Sequence, residues 1–151
     1  MIAVVQRVVS ASVTVGDATV GAIDSGLLAL VAVETGDGAK EIDWMAQKLT
    51  GLRVFRREDK HFDLDVLQTG GGILLVSNFT VAADTRKGRR PSLDAAAPPA
   101  HASITFEKLV AAVRATGVCT QTGTFGGEMR VHLTNDGPAT FIIRTESPVD
   151  R

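Results

Sequence analysis

The sequence predicts an α+β domain in which a mixed β-sheet carries two amphipathic helices on one side. Three observations predict this class: strand patterns fill the first third of the chain, two later segments have helical spacing, and further strand patterns flank them. The 151 residues, of which 44% are hydrophobic and 22% charged, are typical of one globular domain. We expect that domain to span residues 1–145, followed by a polar tail at 146–151.

The first three predicted elements are strands. Apolar and polar residues alternate from Val4 to Val15, which is the period of a half-buried strand. Gly16 and Asp17 interrupt the alternation, and Ala18–Ile23 follows as a second short strand, so the two predict a hairpin. Leu27–Val33 is a continuous apolar run, which predicts a strand buried on both faces.

The middle of the chain combines a helix with two strands. Apolar residues at helical spacing predict a helix from Ala39 to Leu52, and Asp37 is its expected N-cap. Arg53–Lys60 predicts a short strand with an exposed turn, and Ile73–Ser77 predicts a second buried strand.

The last part of the chain predicts a loop, a helix and two strands. Thr85–Pro99 contains basic residues, alanine and proline, and predicts the loop. A second amphipathic helix follows, with Gly117 as its expected C-cap; its apolar positions are Ala102, Phe106, Leu109 and Val113. Glu128–Leu133 and Ala139–Arg144 predict two final strands, which completes the order β-β-β-α-β-β-α-β-β.

The composition argues against several classes of function. A net charge of −1 is unlike a protein whose whole surface binds nucleic acid. Cys119 is the single cysteine, which excludes a disulfide scaffold. No motif surrounds it, so we expect Cys119 to be a small buried apolar residue. The three histidines lie in different segments, so we expect no metal and no cofactor. Without a signal or membrane segment, the sequence predicts a cytoplasmic protein away from membranes.

Two polar motifs are candidates for chemistry. Ser77-Asn78-Phe79-Thr80 ends a buried strand with two hydroxyls and an aromatic ring, and strand ends often carry sites. The alternative is a polar strand end whose Phe79 returns to the core. Asn135-Asp136-Gly137-Pro138-Ala139-Thr140 lies between the last two predicted strands. It predicts either a plain hairpin turn or a backbone that another molecule approaches closely, with an X-Pro bond that can be cis.

Two basic features complete the candidates. Arg7 falls on the apolar side of the first strand, so either a bulge resets the register or Arg7 is a buried anchor for backbone carbonyls. The segment 86–90 concentrates four basic residues on the predicted loop, as either a solvated face or a phosphate contact. These residues are Arg86, Lys87, Arg89 and Arg90.

Together these segments resemble the D-aminoacyl-tRNA deacylase family from Met1 to about Ile143. Five segments in the family's order carry the resemblance: residues 1–8, Ser77–Thr80, Ala82–Thr85 with Gly88 and Arg90-Pro91-Ser92, Thr122-Gly123-x-Phe125 with Met129, and Asn135–Thr140. One residue departs from the family's pattern, because Asn78 stands where the family usually has Gln.

The resemblance implies a mixed, largely antiparallel, barrel-like sheet and a homodimer with its sites at the subunit interface. It implies that Gly137 and Pro138 form a cis peptide that enters the partner's pocket and excludes an L side chain, with Arg7 as the anchor of that gate. Further roles follow by resemblance: Ser77, Phe79 and Thr80 surround the ester and the terminal adenosine, and Asn78, Phe125 and Met129 shape the pocket.

The implied reaction is hydrolysis of the ester between a D-amino acid and tRNA. Two mechanisms are open: an acyl-enzyme on Thr80, or water activated by the 2′-hydroxyl of the terminal ribose with backbone amides near Phe79 and Thr80 holding the oxyanion. The sequence offers no base beside Thr80, which favours the second. A gate that rejects side chains also implies activity on glycyl-tRNA, including glycine mischarged on tRNA-Ala.

Two rival functions are compatible with the same residues. The first is a hydrolase of small esters that uses Thr80 as its nucleophile. The second is a non-catalytic RNA-binding dimer that uses the basic loop.

Overall fold

The computed structural model describes residues 1–145 and has the predicted α+β class. Its strands are β1 (Ile2–Val15), β2 (Ala18–Ile23), β3 (Gly26–Ala32), β4 (Phe55–Arg57), β5 (Lys60–Leu64), β6 (Gly72–Ser77), β7 (Cys119–Thr122) and β8 (Met129–Arg144). Its helices are α1 (Ala39–Gly51), the one-turn α2 (Val66–Thr69) and α3 (Pro99–Ala115), and a 3-10 turn spans Phe79–Ala82. The predicted tail at 146–151 lies outside the described residues.

The main sheet is mixed and nearly closes into a barrel. Its strand order is β2-β1-β3-β6-β7, and β8 pairs antiparallel with β1. β3, β6 and β7 pair in parallel, whereas β1 pairs antiparallel with each of its neighbours. The sheet curls until β2 approaches β7: a Cβ at Gly21 would overlap the carbonyl oxygen of Thr122. β4 and β5 form a separate two-stranded ribbon.

Apolar side chains fill both faces of the central strands. Leu27 and Leu28 are consecutive and both fully buried, so β3 is covered on both faces, which confirms the prediction from its apolar run. One face packs against α1 and α3 through Met45, Leu49 and Leu109. The other face forms a smaller cluster inside the curled sheet, composed of Val8, Ala11, Val13, Ile23, Leu28, Leu74 and Val76. Each fully buried aliphatic side chain stabilises the fold by about 1.5–3 kcal/mol relative to exposure.

The two predicted C-terminal strands are one strand. Both halves of β8 pair with β1, from Met129 opposite Val15 to Arg144 opposite Ile2. The chain therefore does not reverse at Asn135–Pro138, and the hairpin interpretation is wrong. β7 was not predicted, because its Cys-Thr-Gln-Thr sequence has little apolar character. Cys119 in this strand is exposed, which corrects the expectation of a buried residue.

Both alternatives for Arg7 hold in the first strand. Arg7 is 3% exposed, so it is a buried residue. The pairing of β1 with β8 also shifts between Val8 and Ser10, and this irregularity buries Val8 and leaves Val9 exposed. Arg7 is therefore a buried side chain in a strand whose register also shifts.

The start of α1 differs from the prediction. Gly38 is the N-cap, and its backbone N–H donates to the Glu41 carboxylate at 2.9 Å. The Asp37 carboxylate is buried and accepts hydrogen bonds from the Met1 amino group and from the backbone N–H of Glu34, each at 2.7 Å. Because a cation holds it, Asp37 does not fold back onto the helix.

Candidate active site

A cavity of about 840 Å³ opens where β6 ends. Ser77, Asn78 and Phe79 line it at the strand end, and Phe125 and Met129 line it before and on β8. Leu30, Val76 and Phe106 add apolar surface, and the segment before α3 contributes Leu93 and 96–99. None of the described residues that line it is a histidine or carries a charge. The cavity therefore suits a largely apolar ligand and supplies no side-chain acid or base of its own.

Hydrogen bonds fix the first motif at the rim of this cavity. The backbone N–H of Asn78 donates to the carbonyl oxygen of Val31 at 2.8 Å, so Asn78 stays attached to β3 after β6 ends. The Asn78 amide oxygen then caps the 3-10 turn. It accepts from the backbone N–H of Thr80 at 3.2 Å and from the Thr80 hydroxyl at 2.5 Å. Phe79 is 58% exposed, so the interpretation that it returns to the core is wrong.

The second motif is a backbone excursion on β8. Gln6 pairs with Thr140 and Val8 pairs with Asn135, so residues 136–139 of β8 face the single residue Arg7 of β1. The Gly137–Pro138 peptide bond is cis, and both residues are exposed. They do not line the cavity of their own chain. We call residues 136–139 the gate segment.

Arg7 lies beneath the gate segment. Its Nη1 donates to the carbonyl oxygen of Val54 at 2.6 Å, and its Nε lies 3.0 Å from Asp136 Oδ2 without hydrogen-bond geometry. A Cβ at Gly137 would lie 2.6 Å from Arg7 Nη2. The guanidinium thus fills the space under Gly137 and joins the gate segment to the chain that precedes β4. Nothing in the sequence marked Val54 as the partner of Arg7.

The basic loop is closed at its base. Asp84 and Ser92 exchange two backbone hydrogen bonds, at 2.8 and 2.9 Å. Arg86 donates two side-chain hydrogen bonds and one backbone hydrogen bond to the Asp84 carboxylate, which lower the pKa of Asp84 to about 2. Lys87, Arg89 and Arg90 are exposed. The cavity-lining Leu93 follows directly after Ser92, so the loop stands next to the cavity mouth.

Within residues 1–145, no three histidine, cysteine, aspartate or glutamate side chains come together as a metal site. No helix in that range is long and apolar enough to cross a membrane. The structure therefore brings together Ser77, Asn78, Phe79, Phe125 and Met129, and joins Arg7 to Gly137, but it keeps these two groups apart within one chain. Helical spacing identified Phe106 only as a core residue, and nothing in the sequence marked Leu93 or 96–99 as cavity wall.

Comparison with known proteins gives the family. The family model described as D-Tyr-tRNA(Tyr) deacylase matches residues 4–144. A protein of Methylococcus capsulatus named D-aminoacyl-tRNA deacylase is 51% identical over 100% of this chain and 97% of its own length. A protein of the same name from Geobacter sulfurreducens is 48% identical over 97% of each chain.

Solved structures agree in fold. One, named c-Myc DNA Unwinding Element Binding Protein, has a TM-score of 0.92 and 36% identity, and the match covers 97% of this chain and 100% of that one. Another, a probable eukaryotic D-amino acid tRNA deacylase, has a TM-score of 0.79 at 16% identity over 94% of this chain and 98% of that one, which is a likeness of fold alone. With a family model matched over nearly its whole length and relatives about half identical to it, this chain belongs to the D-Tyr-tRNA(Tyr) deacylase family.

Proposed function

We propose that this protein hydrolyses the ester of D-aminoacyl-tRNA in the cytoplasm and releases the free amino acid and tRNA. One observation carries the proposal beyond family membership: the cavity at Ser77–Phe79 contains no charged side chain and no histidine among the residues that line it. A site of this kind needs a substrate that brings its own catalytic group. The terminal ribose of aminoacyl-tRNA does so, since its free hydroxyl lies next to the ester.

The hydrogen bonds of Thr80 support a substrate-assisted reaction. The Thr80 hydroxyl donates to the amide oxygen of Asn78, which is too weak a base to take the proton and create a nucleophile. In the reaction we propose, the ribose 2′-hydroxyl orients water against the ester carbonyl. The water oxygen forms a bond to the carbonyl carbon, the bond from that carbon to the 3′ oxygen breaks, and the proton lost by the water passes to the 3′ oxygen. The backbone N–H groups of Phe79 and Thr80 are the two donors expected to hold the oxyanion. The Thr80 N–H donates to the Asn78 amide oxygen. The Phe79 N–H has no acceptor within residues 1–145, so it is the one available to the oxyanion.

The position of the gate segment supports a homodimer with sites at its interface. Gly137 and Pro138 are exposed on their own chain and outside its cavity, so they are available to a second copy. Within the described residues β8 pairs only with β1, which leaves its other edge open. Exposed apolar side chains accompany that edge: Leu133 on β8, Ile142 at 78% exposure, and Phe62 packed edge-to-face on Phe141. An open edge with apolar side chains favours association.

The gate would select by exclusion. A rigid backbone that occupies the space of an L side chain penalises L-aminoacyl esters by overlap, whereas a D side chain points elsewhere. Glycine has no side chain to exclude. We therefore propose glycyl-tRNA, including glycine mischarged on tRNA-Ala, as a second substrate.

Deacylation of the D and L forms of one aminoacyl-tRNA tests the proposal. We expect turnover of the D form and of glycyl-tRNA, little turnover of the L form, and none when the terminal adenosine is 2′-deoxy. The Thr80→Ala variant should keep most of its activity. Loss of activity in Thr80→Ala together with activity on the 2′-deoxy substrate would contradict the mechanism and favour a Thr80 hydrolase. Binding of tRNA without any turnover would favour the non-catalytic dimer.

A further inference from the structure

The gate segment is the larger of two irregularities in the ladder between β1 and β8; the other is the register shift between Val8 and Ser10. Strand pairing ends at Asn135, opposite Val8, and resumes at Thr140, opposite Gln6. The four residues between them face one residue of β1, so they cannot follow the regular hydrogen-bond pattern. Backbone carbonyls at the base of such an excursion need other donors.

One side chain supplies donors on both sides of the excursion. Asn135 Nδ2 donates to the backbone oxygen of Arg7 at 2.9 Å and to the backbone oxygen of Ala139 at 3.0 Å. An amide NH₂ group has two hydrogens, so this group is fully used by the two carbonyls. The first bond attaches β8 to β1 where the gate begins, and the second closes the base of the gate from Asn135 to Ala139.

The two contacts complement those of Arg7. The guanidinium of Arg7 forms an ion pair with Asp136 at 3.0 Å and occupies the space that a side chain at Gly137 would need, while the backbone oxygen of Arg7 accepts from Asn135. We propose that Asn135 is a positioning residue for chiral selection, which sets the height and angle of Gly137 and Pro138 by fixing both ends of their segment. This inference rests on the gate function proposed above.

The chemistry of the site restricts what can replace Asn135. Leucine has a similar shape but no donor, so the oxygens of Arg7 and Ala139 lose their partner. Aspartate would direct its negatively charged carboxylate oxygens at the same two carbonyl oxygens, and these oxygens would repel one another. A serine leaves space for a water molecule and offers only one hydrogen, so it should restore part of the clamp.

The experiment compares D and L selectivity rather than activity alone. The ratio of kcat/KM for the D and L forms of one aminoacyl-tRNA is measured for the wild type, Asn135→Leu and Asn135→Ser. We expect Asn135→Leu to lower the ratio about tenfold or more, mainly by gained activity on the L form, because two hydrogen bonds that fix the gate are lost. Asn135→Ser should give an intermediate ratio, and this variant keeps the test open if Asn135→Leu does not fold.

A matched control separates positioning from general weakening of β8. Arg144→Gln removes the 2.8 Å hydrogen bond from Arg144 Nη2 to Glu34 at the far end of the same strand. It should lower the melting temperature and leave the D to L ratio unchanged. Ratios within twofold of wild type in both folded Asn135 variants would overturn the inference. A wild-type protein without D over L selectivity would instead overturn the proposed gate, so the two failures are distinguishable.

Discussion

Gly137 illustrates how one residue is constrained by two independent features of its surroundings. Its φ of +123° lies in a region that side chains rarely adopt. In addition, a Cβ there would lie 2.6 Å from Nη2 of Arg7. Arg7 is buried and held by Val54, so it has little freedom to move away. Position 137 therefore has no room for a side chain unless the guanidinium of Arg7 moves.

Gly137→Ala should consequently damage selectivity as well as stability. We expect the unfolding free energy to fall by about 1–3 kcal/mol, from the disfavoured backbone and the displaced guanidinium, and the D to L ratio to fall with it. Urea unfolding and deacylation of both stereoisomers measure the two effects. Gly16→Ala is the matched control, since Gly16 also has a positive φ (+57°) but nothing lies within 4 Å of its Cβ position. An equal loss of selectivity in both variants would contradict the direct role of the Arg7 contact.

At the scale of elements, the 3-10 turn after β6 depends on one capping side chain. Asn78 bonds to the backbone and to the hydroxyl of Thr80, two residues later. Asparagine is among the best N-cap residues because its short side chain reaches the second or third backbone N–H. A glutamine, the usual family residue by resemblance, is one methylene longer and is not favoured in this role. This chain thus orders its own turn with the side chain that the resemblance assigns to the pocket.

Substitutions at Asn78 should show whether this cap contributes to activity as well as to stability. Asn78→Ala is expected to cost about 0.5–2 kcal/mol of stability and to lower kcat/KM, because the turn carries Phe79, which lines the cavity. Asn78→Asp keeps an acceptor and should restore the turn. Asp65→Ala, which removes the equivalent cap of α2 at Gln68, should cost similar stability without loss of activity. Equal kcat/KM for the two alanine variants, measured beside their melting temperatures, would show that the Asn78 cap plays no part in the site.

The elements also show where prediction from sequence succeeds and where it fails. Apolar period identified β1 and the two long helices, and short apolar runs bounded by turn residues identified β2, β3 and β6. The motif at Ser77–Thr80 was placed at a strand end, where it lies. β7 was missed because its residues are polar, and β8 was divided because Asp-Gly-Pro ordinarily ends a strand. Arg7 on the apolar side of β1 did signal a buried side chain, whereas its bond to Val54 and the two bonds of Asn135 are tertiary contacts that leave no local signal.

On the scale of the whole molecule, charge is distributed unevenly around the cavity. The chain has a net charge of −1, yet residues 85–93 contain four basic residues and no acidic one. The Asp84–Ser92 pairing holds these residues beside Leu93 at the cavity wall. A nearly neutral protein can thus present a local positive patch that attracts phosphates. That arrangement suits a ligand whose reacting end enters the cavity while its phosphates stay outside.

The four cations should contribute unequally to binding of tRNA. The guanidinium of Arg86 is paired with Asp84 at 2.7 Å, whereas Lys87, Arg89 and Arg90 have no acidic partner within residues 1–145. Each phosphate contact to a single strand adds about 0.7 to the slope of log affinity against log salt concentration. Alanine at Lys87, Arg89 or Arg90 should therefore lower that slope by about 0.7, and Arg86→Ala should lower it less. Arg56→Ala, an exposed cation on β4, is the control and should leave the slope unchanged. If the Arg56 variant changed the slope as much as the loop variants, phosphate contact would be spread over the surface and would not be localised at the cavity mouth.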